Sequence, residues 1–274
     1  MANFFPRWTN TVLLKVAVCL GVVGIGTVAA VSYYFTPEYT RVGYQPSQPV
    51  PFSHKLHAGQ LGMDCRYCHN HVESSAHSNI PSSQTCWNCH QHVKKESPRL
   101  EPIRRSIDKT YEGYTGEPVE WVRVHKVPEY AYFDHSAHVN RGVSCVSCHG
   151  KINEMSVVYQ HESQSMGWCL DCHRAPEKNL RPLDQITNLD WKPEDLDREQ
   201  FYGHLLESGT APDAIVAALG GGGGGAEAAA GNPGALAALA REIYGEKVVQ
   251  KEVGTVLKNL WSVNPPENCT GCHR

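Results

Sequence analysis

Five times in 274 residues, two cysteines stand three positions apart with a histidine directly after the second. The five sets are Cys65, Cys68 and His69; Cys86, Cys89 and His90; Cys145, Cys148 and His149; Cys169, Cys172 and His173; and Cys269, Cys272 and His273. Of the 11 cysteines only Cys19 lies outside them, inside an apolar run. Two thiols at this spacing can form thioethers to the two vinyl groups of one haem, and the next imidazole then falls beneath the iron as proximal ligand. One such pair would also suit a zinc site or a redox disulfide. Five pairs, each followed by His, make five covalently bound haem c groups the expected cofactors.

Ten further histidines remain, and haem iron in an electron-transfer site takes a second axial ligand, His or Met. His54 and His57 follow Phe52, and His135 and His138 follow Phe133, so F-x-H-x-x-H stands about seven residues before a C-x-x-C-H twice over. At i, i+3 on one helical turn both imidazoles share a face. One can fold back on the local iron while the other reaches a neighbour. These four are the expected distal ligands. A fifth is sought among His125, on an extended apolar-flanked segment, and Met155 and Met166; His71, His77 and His92 are substitutes. A Met ligand would raise the potential of its haem. His161 and His204 read as exposed. No constellation for acid–base or nucleophilic catalysis accompanies these residues, so the chemistry would belong to the iron.

The elements that position them are few. Val16–Phe35 is an apolar run of twenty residues, about 30 Å as a helix and enough for one bilayer core. Arg7 and Lys15 precede it, while the first cation beyond it is Arg41, near Glu38. That asymmetry puts the N-terminus in the cytoplasm and the rest outside. Phe4, Phe5 and Trp8 flank one end and Tyr33, Tyr34 and Phe35 the other, as interfacial aromatics would. The run is too long for a signal-peptide apolar region, and no small-x-small site follows, so an uncleaved single-pass anchor is expected. The expected domains are 1–36, the cytoplasmic N-terminus and transmembrane anchor; 37–182, a four-haem region; and 183–274, an extension ending in the fifth motif. Four motifs within residues 65–173 leave no room for an ordinary core, so the fold should be mainly α and irregular, loop-rich, packed around haems. Pro193–Ser208 and roughly Ala235–Trp261 read as helices. Ala211–Ala240, rich in Ala and Gly with six glycines at Gly220–Gly225, reads as a flexible surface insertion. A net charge of −3 offers no reason to expect nucleic acid.

The stretches FSHKLHAGQLGMDCRYCH, VHKVPEYAYFDHSAHVNRGVSCVSCHG, MGWCLDCHRAPE and VNPPENCTGCHR resemble the pentahaem, membrane-anchored cytochrome c subunit of alternative complex III, a quinol-oxidising complex of some bacteria. The resemblance covers most of residues 50–182 and the tail, and nothing of the Gly run. It implies an electron-transfer subunit that passes electrons from quinol oxidation to a periplasmic acceptor. Its implied partners are a polytopic quinol-binding membrane subunit, an iron–sulfur protein related to molybdopterin oxidoreductases, and a monohaem cytochrome c, with membrane lipid around the anchor. Two other readings follow from the residues: a stand-alone anchored quinol dehydrogenase feeding a periplasmic reductase, and a multihaem enzyme with an open iron. The lead-in at residues 36–64 disfavours the former, and the supply of spare histidines the latter.

Overall fold

The computed structural model describes Pro6 and residues 8–35, 41–220 and 231–273. The expectations for Phe4, Phe5, Arg7 and Glu38, for the Phe35 side chain, and for residues 221–230 of the glycine-rich stretch lie outside the described residues. What is described is mainly helical and irregular. Among the described residues there is no strand, only isolated bridges between Ala131 and His273 and between Val143 and Leu180.

Helix α1 (Thr9–Phe35) is 27 residues long, with Thr11–Tyr34 apolar enough to cross a bilayer. At about 1.5 Å per residue those 24 residues reach about 36 Å. Leu13, Leu20, Val22 and Ile25 are all exposed, so the apolar span of α1 is buried against none of the described residues. A helix apolar on every face and buried on none is compatible with a membrane anchor.

From residue 50 to 174 the helices are short: α2 (Cys65–Cys68), α3 (Ser83–His90), α4 (Glu101–Ile107), α5 (His135–Val139), α6 (Val146–His149) and α7 (Met166–Arg174). Four of them carry attachment motifs. Side-chain caps define their entry: the Asp64 carboxylate accepts from the Arg66 N–H, and the Ser165 hydroxyl from the Trp168 N–H. Gly150 ends the third motif at φ +66°, with the His161 ring lying where a Cβ would stand, so no larger residue fits there.

The remainder is an apolar bundle. Helices α8 (Arg198–Glu207), α9 (Pro212–Leu219), α10 (Pro233–Tyr244) and α11 (Gln250–Leu260) bury Phe201, Tyr202, Ile215, Leu219, Leu236 and Leu257 against one another and against Leu180. This corrects the reading of Ala211–Ala240 as a flexible insertion. Its described parts are α9 and most of α10, and Ile215, Val216, Leu236 and Ala240 lie in the core. Alanine is the best helix former, and its small side chain lets helices approach closely. Glycine acts here as punctuation: Gly220 stops α9 in the left-handed region at φ +82°, and Gly245 stops α10 at φ +88°. The single helix expected over Ala235–Trp261 is thereby two. Pro193–Ser208 likewise splits, into a 3₁₀ turn at Pro193–Asp195 and α8.

A buried ion pair closes the bundle. Arg198 Nε and Nη2 reach the two Glu252 carboxylate oxygens at 2.9 and 2.8 Å, and the Tyr202 hydroxyl donates to Glu252 at 3.0 Å. Arg198 also donates to the carbonyls of Gly245, Glu246 and Lys247 and so fixes the α10–α11 link. Helix α11 then docks on the segment behind the fourth motif. Gly254 abuts the Glu177 carbonyl, and Lys258 pairs with the Glu177 carboxylate at 2.9 Å. This seating delivers α12 (Cys269–Cys272), capped by the Asn268 side chain, to the rest of the chain.

Candidate haem-attachment sites

None of the ten motif cysteines is joined to another in a disulfide. Among the described residues no three or more His, Cys, Asp or Glu side chains converge as ligands for a metal ion, so the cysteine pairs do not assemble into four-ligand zinc sites.

The histidines share one construction. Nδ1 meets a backbone carbonyl in seven of them: His57 with Ser53, His69 with Asn79, His90 with Val93, His135 with Ala76, His138 with Asp134, His173 with Pro266 and His273 with Tyr130, at 2.7–3.2 Å. An Nδ1–H tied in this way orients the ring and leaves Nε2 as the lone-pair nitrogen, as metal-bound imidazoles require. These carbonyls had no signal in the sequence beyond the Pro-Pro before the last motif.

The rings are paired across motifs. His57 stands 6.2 Å from His90 and His138 stands 6.2 Å from His173, centroid to centroid; His135 lies 6.5 Å from His149. Two imidazoles bound by Nε2 on opposite sides of one metal, with bonds of about 2.0 Å, have centroids about 6.3 Å apart. His54 lies near His69. Burial, with the like charges of His69 and His57, lowers the His54 pKa to about 4. Burial lowers His149 to about 3, helped by its neighbours His125 and His135. These imidazoles are therefore neutral near pH 7, with a lone pair available. His54 Nδ1 and His149 Nδ1 are buried without a hydrogen-bond partner. An open cleft of about 630 Å³ flanks the third motif, between Val146, Gly150, Met155 and His161. Carbonyl-oriented imidazoles at this separation beside paired cysteines fit haem c.

The remaining candidates fall elsewhere. His125 is half-buried, its pKa lowered to about 4 by that burial, and its ring meets His149 edge-on at 4.4 Å, too close for an iron between the two. Met155 is buried beside the third motif, and Met166 is 66% exposed at the start of α7. His71, His77, His92, His161 and His204 are exposed. One segment went unnoticed in the sequence: Ala131 bridges His273, and the Tyr132 N–H donates to the Cys272 carbonyl at 2.7 Å, which pins the fifth motif beside the approach to the third.

The two F-x-H-x-x-H turns are geometric copies. Phe52 stacks on His57 at 4.4 Å and meets His54 edge-on at 4.9 Å; Phe133 stacks on His138 at 4.6 Å and meets His135 edge-on at 4.8 Å. Their spacings differ by one residue, since Cys65 is eight positions after His57 and Cys145 seven after His138. The additional residue sits in a π-helical turn, Lys55–Gln60, where the second copy has the α-helical α5. A π turn accommodates one inserted residue without breaking the helix.

The family described as cytochrome c7 and related cytochrome c matches residues 50–108 and 131–190, one copy and then the other. The multihaem cytochrome c subunit of the menaquinone reductase of Nitratidesulfovibrio vulgaris is 32% identical over 105 residues, 38% of this chain. The chain spans about half the length of that curated relative, 47%. The matched segments hold four of the five motifs and form a multihaem c-type cytochrome region, whose work is electron transfer.

Proposed function

We propose that this chain is a membrane-anchored pentahaem cytochrome, the electron-transfer subunit of a quinol:acceptor oxidoreductase of the alternative complex III type. In this reading residues 1–36 are the cytoplasmic N-terminus and anchor, 37–182 hold four haems outside the cytoplasmic membrane, and 183–274 carry the fifth. The ten motif cysteines form the thioethers. His69, His90, His149, His173 and His273 are proximal ligands, and His54, His57, His135 and His138 complete the first, second, third and fourth sites. Haem iron supplies one-electron redox chemistry; the protein sets ligation and potential.

The observation that carries this reading is the pairing of carbonyl-tethered imidazoles at 6.2 Å, His57 with His90 and His138 with His173. Ligands fixed on both faces of an iron close it to substrate and suit it to electron transfer rather than to catalysis at an open site. The likeness to a menaquinone reductase subunit supports a place in a quinone-reactive complex. It also favours a second reading, in which electrons run toward quinone. The N-terminal apolar helix supports the anchor.

The test is to solubilise native membranes in mild detergent, isolate this chain and identify what co-purifies by mass spectrometry. A polytopic quinol-binding protein, a large iron–sulfur protein and a monohaem cytochrome c are expected. Recovery alone, or with only a soluble reductase, overturns the complex and transfers quinol oxidation to this chain. Recovery with a quinone-reducing assembly reverses the direction.

A further inference from the structure

The contacts between the two copies are reciprocal. The Lys55 N–H donates to the Met155 carbonyl at 3.0 Å, and the Ser136 N–H to the Ser75 carbonyl at 3.2 Å. Gly59 abuts the Asn153 carbonyl, and Asn140 donates to the Glu73 carbonyl at 2.9 Å. Lys55 and Ser136 hold equivalent places in the repeat, as do Ser75 and Met155, Gly59 and Asn140, and Glu73 and Asn153. Both of these contacts of one copy on the other are thus returned. Residue i meeting j while the equivalent of j meets the equivalent of i is the signature of a two-fold relation. Equivalent residues meet at such an axis, and the sulfurs of Cys65 and its equivalent Cys145 lie within reach of one another.

We infer that the five attachment motifs stand in single file, in the order second, first, third, fourth, fifth, about an internal two-fold axis at Cys65 and Cys145. The first and third motifs flank the axis. Within each copy the second histidine of F-x-H-x-x-H reaches outward, His57 to the second motif and His138 to the fourth. The fifth joins beyond the fourth: His173 Nδ1 bonds the Pro266 carbonyl at 2.7 Å, and Arg174 pairs with Glu267 at 3.5 Å. Neighbouring thiols repeat the order, Cys68 beside Cys89, Cys148 beside Cys172 and Cys169 beside Cys272. The second motif has no such continuation, because the His90 Nδ1 bond is local, to Val93. Of the motif cysteines only Cys89 and Cys269, in the second and fifth, are exposed. Those two motifs are the ends of the file.

The inference rests on the haem reading, and the test separates the two. A haem count on the purified full chain by pyridine haemochrome gives five if that reading is right and fewer if it is wrong. Iron positions in crystals of the same holoprotein, located by anomalous scattering, then test the order. The shortest distances should link second to first, first to third, third to fourth and fourth to fifth. A second-motif iron nearer to the third, fourth or fifth than to the first overturns the file. In solution, His57→Met should move its own reduction step and that of one neighbour, and His138→Met its own and those of two. Equal numbers for the two variants also overturn it.

Discussion

Residues 50–179 and residues 180–263 hold their shape by opposite means. Among the described residues the first stretch buries five apolar side chains and the second eighteen, in little more than half the length. In the second, helices present apolar stripes to one another and Arg198 and Glu252 lock the turn between them. In the first, rings and thiols are fixed one at a time, six of the imidazoles by a carbonyl. On the haem reading the porphyrins supply the apolar area that its own side chains lack. A region built around a cofactor therefore needs positioning residues where an ordinary domain needs packing residues.

The sharpest break in that contrast comes from withholding haem. The chain with all ten motif cysteines changed to alanine should lose nearly all hydrogen-exchange protection across residues 50–173 and keep it across α8–α11. Equal loss in both regions would show that the bundle also depends on the haems. Next in size is Glu252→Ala, which leaves the buried Arg198 guanidinium without its partner and should cost about 3–5 kcal/mol. Urea unfolding followed by far-ultraviolet circular dichroism should show the bundle melting early while haem absorbance holds to its own midpoint.

The two regions were legible to different degrees for the same reason. Cofactor chemistry is written in residue identity, so the five motifs and the paired F-x-H-x-x-H turns are readable from the chain alone. The carbonyls that orient them are not, because any residue can supply one. The one-residue difference between the repeats is visible in the spacing, but its π-helical solution is not. In the extension, Pro193 and the acidic residues after it marked α8, and the helix expected over Ala235–Trp261 ran α10 and α11 together, whereas Ala211–Ala240 misled because its Ala and Gly content matches both linkers and tightly packed helices. Ile215, Val216 and Leu219 on one side of α9, and Leu236 and Ala240 on α10, are the apolar spacing that separates the two cases.

The seam between the regions yields the third effect. At Gly254 an added methyl would overlap the Glu177 carbonyl, so Gly254→Ala should cost about 1–3 kcal/mol. The loss should be felt on both sides, since α11 seats the segment that carries the fifth motif. Limited proteolysis between Val263 and Asn268 should accelerate in this variant and not in Glu252→Gln, which keeps α11 the same size.

The smallest effect is the most discriminating. Asn140 is exposed and its amide reaches the Glu73 carbonyl across the two-fold relation, so Asn140→Ala should cost about 0.5–1.5 kcal/mol. It shares no partner with Glu252, which lies in the other region. If the two regions are stabilised separately, the costs of Asn140→Ala and Glu252→Ala should add to within about 0.5 kcal/mol in the double variant. A larger coupling would mean that the contacts across the axis and the bundle's ion pair stabilise one cooperative unit. The single-file arrangement would then be held from its fourth and fifth members as firmly as from its centre.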